Sequence, residues 1–223
     1  MSSGLAWNEW SAGPLTSDET RLFWKPQAVR FVFDRPLAAP PGTRFNYNGG
    51  GTATLAELLT RGGGKTLLEQ AREELFEPLG IMHWEWALDL RDRPLAFAGL
   101  RLRPRDMAKL GRLVLDGGRW RGRQLVPEAW VAASLRKQIA TGLRMPPDVE
   151  GGLGYGYQWW TGNTTWRGRP LVWSAALGNG GQRIFVVPAL DLTVVTTAGD
   201  YGSREIGPVV GDLFARIVAT VAD

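Results

Sequence analysis

Apolar residues recur at helical spacing between Thr52 and Glu77: Leu55, Leu58 and Leu59, then Leu67, Leu68 and Leu75, interrupted by Gly62-Gly63-Gly64. The spacing predicts two helices joined by a glycine turn, the second ending before Pro78. Arg105 to Leu115 and Pro127 to Lys137 predict two more. Each opens at a proline (Pro104, Pro127), whose fixed φ suits a first turn where its missing N–H is not needed. After Gly151 the period shortens to two. Tyr155, Tyr157, Trp159 and Trp160 alternate as in a strand, and residues 184–187 and 192–196 read as a tight antiparallel hairpin closed by Pro188-Ala189-Leu190-Asp191. An apolar-periodic helix from Glu205 or Ile206 to Val221 ends the chain. Residues 1–45, rich in Trp, Pro, Ser and Asp, read as loops with short helical pieces. Helices first and antiparallel strands afterwards predict an α+β fold. The chain reads as one domain, mainly helix and loop over 1–150, with strands and a closing helix over 151–223.

Composition narrows the function classes. The 223 residues are 44% hydrophobic, enough for a substantial core. No run of eighteen apolar residues suggests a membrane span. No basic region followed by an apolar stretch opens the chain, although a truncated start would hide one, so the compartment, bacterial cytoplasm or periplasm, is left open. The absence of cysteine excludes disulfides, thiolate metal sites and thiol nucleophiles. No ligand cluster points to a metal. The net charge of +4 is carried almost wholly by arginine, densest at Arg101, Arg103, Arg105, Arg112, Arg119, Arg121 and Arg123. With acidic residues dispersed and no basic tail, these read as solvated faces, not as a nucleic-acid interface.

The chemistry lies in ordered motifs. Pro41-Gly42-Thr43-Arg44-Phe45-Asn46-Tyr47-Asn48-Gly49 is followed by Gly51, then Glu77-Pro78-Leu79-Gly80-Ile81, then Leu102-Arg103-Pro104-Arg105-Asp106-Met107-Ala108-Lys109-Leu110-Gly111. In this order they resemble the β-lactamase-like serine hydrolases: class C β-lactamases, penicillin-binding proteins, family VIII esterases and 6-aminohexanoate-dimer hydrolases. The resemblance implies a β-lactamase/transpeptidase-like fold, an antiparallel sheet flanked by helices. It also implies acyl transfer through a serine ester, a small-molecule ester or amide substrate, and no cofactor. A serine hydroxyl is a poor nucleophile until a base takes its proton. The resemblance gives that work to a lysine and to Tyr47; read alone, Tyr47 is a half-buried aromatic at a strand or loop end.

Two motifs depart from the family pattern. Gly49 stands where the family often has asparagine, and Asn48 is out of register to replace it. Asn179-Gly180-Gly181 stands where the family has Lys/His-Thr/Ser-Gly. The resemblance implies that the next backbone N–H, that of Gln182, helps form the oxyanion hole, a task independent of side-chain identity. Trp159, Trp160 and Trp173 are expected to line an apolar acyl pocket, with core packing as the plainer reading of each. Trp7, Trp10 and Trp24 are placed in a loop closing over it. These features resemble the 6-aminohexanoate-dimer hydrolases and esterases, and favour esters and linear amides over β-lactams.

The nucleophile is the missing part. The family's Ser-x-x-Lys precedes the tyrosine, and Met1 to Leu5 resembles a stretch placed after it, so the chain reads as an N-terminally truncated, C-terminal portion. One match exists, Ser134-Leu135-Arg136-Lys137, but it follows the tyrosine and ends a helix with polar flanks, so it reads as a chance pattern. Gly62-Gly63-Gly64-Lys65-Thr66 is similar to a phosphate loop yet joins two helices instead of following a strand. His83, the only histidine, lies between Met82 and Trp84 like a packed residue and lacks a nucleophile elbow. Three readings follow: a hydrolase whose serine lies upstream, an inactive remnant or binding module, or an enzyme using Ser134. Truncation predicts an open sheet edge and an apolar face that drive self-association.

Overall fold

The computed structural model describes residues 1–10, 16–147 and 152–222. They form two compact units, Met1–Arg103 and Pro104–Asp223.

The first unit holds α1 (Asp18–Phe23), α2 (Ala28–Phe33), α3 (Gly49–Gly63) and α4 (Leu67–Ala71), which runs into a π-helical turn (Arg72–Phe76). A short antiparallel pair follows, β1 (Trp84–Trp86) with β2 (Leu100–Leu102). The expected glycine turn is present. Gly64 takes the left-handed conformation (φ 66°) that ends α3, and Thr66 opens α4 with a reciprocal capping box to Glu69. α3 starts three residues before the apolar periodicity does. Its N-cap is Asn48, whose side chain accepts from Gly51 N–H at 2.9 Å. The core here is Trp7, Leu22, Phe31 and Val32, with Leu5, Ala28, Ala53 and Phe97 against it. Gly50 permits that packing, since a Cβ there would lie 2.5 Å from Val32 Cγ2 and 2.7 Å from Trp7 Cη2. The stripe that announced the helix is not its buried face: Leu55, Leu58 and Leu59 are 52%, 61% and 53% exposed. His83 is exposed at the entry to β1, which corrects its reading as a packed residue.

The second unit is built on a six-stranded antiparallel meander. Its strands, in spatial order, are β10 (Leu192–Thr196), β9 (Arg183–Val187), β8 (Arg169–Leu177), β7 (Trp160–Trp166), β6 (Gly154–Tyr155) and β5 (Ile139–Ala140). Before the sheet come α5 (Pro104–Leu115), the small pair β3 (Arg119–Trp120) and β4 (Arg123–Gln124), and α6 (Glu128–Leu135); α7 (Ile206–Thr220) follows it. Strand alternation sends Trp173, Ala175 and Phe185 to one face, where Phe214 of α7 stacks on Phe185 at 4.0 Å and meets Trp173 edge-on. The other face carries Ile184 and Thr193. There Gly111 lets α5 approach, since a Cβ would lie 2.3 Å from Thr193 Cγ2 and 2.9 Å from Ile184 Cγ2. The layers are thus helix, sheet, helix. Burying each such aromatic or aliphatic side chain contributes about 1.5–3 kcal/mol.

The aromatic run over 155–160 is not one strand. Gly156 N–H donates to Trp159 O at 2.8 Å and Gln158 is left-handed (φ 65°), so the run turns a corner between β6 and β7. Gly156 is required there because a Cβ would overlap Ser134 O. The hairpin at 188–191 and the closing helix are as the pattern predicts. Among the described residues no helix is long and apolar enough to cross a membrane.

Candidate functional site

In the first unit Tyr47 sits directly before the capping residue of α3, and the turn around it is tied on both sides. Asn46 Nδ2 donates to Trp7 O at 3.0 Å. Asn48, 2% exposed, caps the helix and does not stand in for an amide at position 49, as its register implies. The Trp10 indole stacks on the Tyr47 ring (5.5 Å between centroids, 23° between planes) while remaining largely exposed. Of the tryptophans placed in a closing loop, Trp7 is instead core, packed edge-on against Phe31, and Trp24 is exposed.

No periodicity or motif singles out Glu9, whose partner lies forty residues away. Its buried carboxylate accepts from Trp7 Nε1–H at 2.5 Å and from Gly49 N–H, the first residue of α3, at 3.0 Å. Burial pushes the Glu9 carboxyl above the usual carboxylate range. Glu19 is pushed up to about 7, first by burial and then by the negative charge of Glu9. Because the folded protein holds the Glu19 proton more tightly than the unfolded chain, this group stabilises the fold fully below about 4.5, and that stability is lost as pH rises toward about 7. A Glu19→Gln variant should therefore lose less melting temperature between pH 5 and pH 7.5 than the parent. The difference is about 1–2 kcal/mol after discounting for partial solvent screening; parallel thermal melts with the same pH slope would contradict this.

In the second unit Gly178-Asn179-Gly180-Gly181-Gln182 joins β8 to β9. Asn179–Gly181 form a single 3-10 turn in which Gly180 (φ 74°) and Gly181 (φ 91°) adopt conformations that disfavour side chains. The turn is braced from the 198–206 segment: a Cβ on Gly180 would lie 2.7 Å from the Tyr201 ring, and one on Gly181 2.8 Å from Ile206. Asn179 Oδ1 accepts from Gly202 N–H at 3.0 Å, Gln182 Nε2 donates to Ala198 O, and Thr196 Oγ1 donates to Gly181 O at 2.9 Å. Beneath it lies Arg183, a buried cation that sequence reading missed inside an apolar strand. Its guanidinium donates to Gly178 O and Gln182 O, and burial lowers its pKa from the usual arginine value. The turn is thus held from both sides.

The tryptophan expectations need correction. Trp173 is 0% exposed between Phe185 and Phe214, and Gly162 lies flat against its ring. Trp160 is buried edge-on against Tyr155. Both point into the layer under α7, because their strand positions share the face of Ala175. Only Trp159, at the corner before β7, is partly open.

Ser134 is buried in the last turn of α6, but the helix ends at Leu135 and Arg136 is extended (φ −73°, ψ 138°). Lys137 is therefore off the helix, and the i, i+3 face that would bring its ammonium to the serine is not formed.

The helix–sheet–helix layering and the two motifs define a β-lactamase/transpeptidase-like hydrolase fold. The chain belongs to the β-lactamase family, whose model matches residues 1–207. It is 34% identical over 99 residues to a lovastatin esterase from Penicillium rubens, a match covering 42% of this chain and 23% of that protein. Among solved structures it resembles a protein described as a 6-aminohexanoate-dimer hydrolase from Bacillus anthracis (TM-score 0.75, 23% identity, 96% of this chain and 58% of that one). It also resembles a penicillin-binding protein from Bacillus halodurans (TM-score 0.69, 17% identity, 97% and 70%). The chain thus spans less than two thirds of the length of the first relatives it matches.

Proposed function

We propose that this chain is part of a serine hydrolase that cleaves esters or linear amides through an acyl-serine intermediate. Its nucleophile comes from residues outside these 223. The observation that carries the reading is the intact tyrosine turn: Tyr47 is fixed at the start of α3 by Asn46, Asn48 and Trp10 within a chain of this family. Tyr47 takes the serine proton, and the Gln182 N–H steadies the oxygen that becomes negative in the tetrahedral intermediate. Asn179, Gly180 and Gly181 let the substrate lie close to that backbone, and Trp159 contributes apolar surface. Ser134 lacks a lysine on its helix face and is not the nucleophile. The lovastatin esterase match and the departures at Gly49 and Asn179 favour esters and linear amides over β-lactams. The test is turnover by the chain extended through its upstream reading frame. Short-chain p-nitrophenyl esters should be hydrolysed and a penicillin should not; the reverse preference would overturn the substrate reading.

We also propose that the chain by itself associates. β10 is an edge strand with no charge or proline to protect it, and the Leu55, Leu58 and Leu59 stripe is open. Sizing with light scattering should show dimers or larger species, and Leu58→Glu should reduce them. A monodisperse monomer of the parent chain would contradict this.

A further inference from the structure

We propose that Glu9 is the positioning residue of the Tyr47 turn, a buried carboxylate that takes the space a side chain at position 49 would fill and fixes the start of α3. A Cβ on Gly49 would lie 3.1 Å from Glu9 Oε1 and 3.4 Å from Phe97 Cβ, so this glycine and this carboxylate fit together. One oxygen, Oε2, receives both the Trp7 indole N–H and the Gly49 amide N–H. The first N–H groups of a helix have no partner within it and carry the positive end of its dipole, so an anion there is favoured. Glu9 thus ties three parts together: the Trp7 core, the first residue of α3, and Trp10, which follows it in sequence and lies on the Tyr47 ring. A change of charge at Glu9 acts on both ends of the Tyr47 turn.

The groups around it define what its titration senses. From α1 come Asp18 and Glu19, and the charge of Asp18 adds to the upward push that burial gives Glu9. Asp18 is itself held by Arg21 (3.3 Å) and Arg35 (3.2 Å), and accepts from Asn8 N–H. α3 presents only backbone at Gly49, and Phe97 is apolar. Protonating Glu9 neutralises the anion at the start of α3 and weakens both charge-assisted bonds.

This inference rests on Tyr47 being the reactive tyrosine of the proposed hydrolase, but its test needs no substrate. The Trp7 indole N–H, the Gly49 amide and the Tyr47 ring are followed by NMR through a pH titration of the chain, assigned with Trp7→Phe and Tyr47→Phe. All three should move with one midpoint above the usual carboxylate range. In Glu9→Gln that transition should be lost from all three; in Glu19→Gln it should persist. Tyr47 signals that stay still while the other two titrate would reduce Glu9 to a helix cap and overturn the proposal. Met1, whose amine has its pKa lowered by burial, also holds Asn46 and Asn48. It is therefore a Tyr47 transition at the shared midpoint, surviving in Glu9→Gln, that would also overturn the proposal. If Glu9→Gln does not fold, the shared midpoint in the parent chain decides alone, and three unequal midpoints overturn it. An inactive hydrolase with the coupling intact would instead count against the functional reading.

Discussion

In the proposed nucleophile-bearing enzyme, replacing Tyr47 with phenylalanine should lower acylation of the serine by about 10²- to 10⁴-fold, the range expected for loss of a positioned proton acceptor. The substitution removes one oxygen and leaves the ring, so the stack on Trp10, the Asn46 bond to Trp7 O and the Asn48 cap should survive. Thermal melts separate loss of the hydroxyl's chemistry from loss of the fold. Substrate binding should change little while turnover falls, since the hydroxyl acts on the proton in flight and not on the bound ester. A variant with unchanged turnover would remove Tyr47 from the chemistry; one that loses turnover only by unfolding would assign it to structure.

The second large effect is expected at Gly181. Its φ of 91° is strained for any side chain, and a Cβ would press on Ile206 and Ala198 at 2.8 Å and 3.0 Å. Gly181→Ala should cost on the order of 1–3 kcal/mol in stability. The next residue would also shift, moving the Gln182 N–H off the developing oxyanion and slowing acylation by about 10²- to 10³-fold. Gly168→Ala separates the two causes. Gly168 also has positive φ (75°), but its Cβ would meet nothing within 4 Å and it lies at the distant β7–β8 turn. That variant should lose stability without comparable loss of rate. Equal rate losses in both would mean that Gly181 matters only for folding.

What the sequence revealed and what it hid have distinct physical origins. The hairpin at 188–191, the two prolines that open helices and the helix closing the chain were legible because each rests on local spacing or turn chemistry. The start of α3 was hidden by Gly49-Gly50-Gly51, three poor helix formers, of which Gly50 packs on Trp7 and Val32 and Gly49 faces Glu9. Trp160 and Trp173 were ambiguous because a tryptophan in a strand looks alike whether it faces a ligand or a helix; register with Ala175 and contact with Phe214 decide for packing. Tyr47 is singled out only by the ordered motifs around it. Glu9 and Arg183 were not legible at all. One serves a helix forty residues away and the other a glycine turn, and neither leaves a periodic trace.

The most direct test of the central claim is the intact mass after exposure to a fluorophosphonate probe. It is measured on the folded 223-residue chain and on the chain extended through its upstream reading frame. No adduct should form on the first, and one stoichiometric adduct should form on the second at a serine three residues before a lysine. An adduct on the 223-residue chain that maps to Ser134 would contradict it.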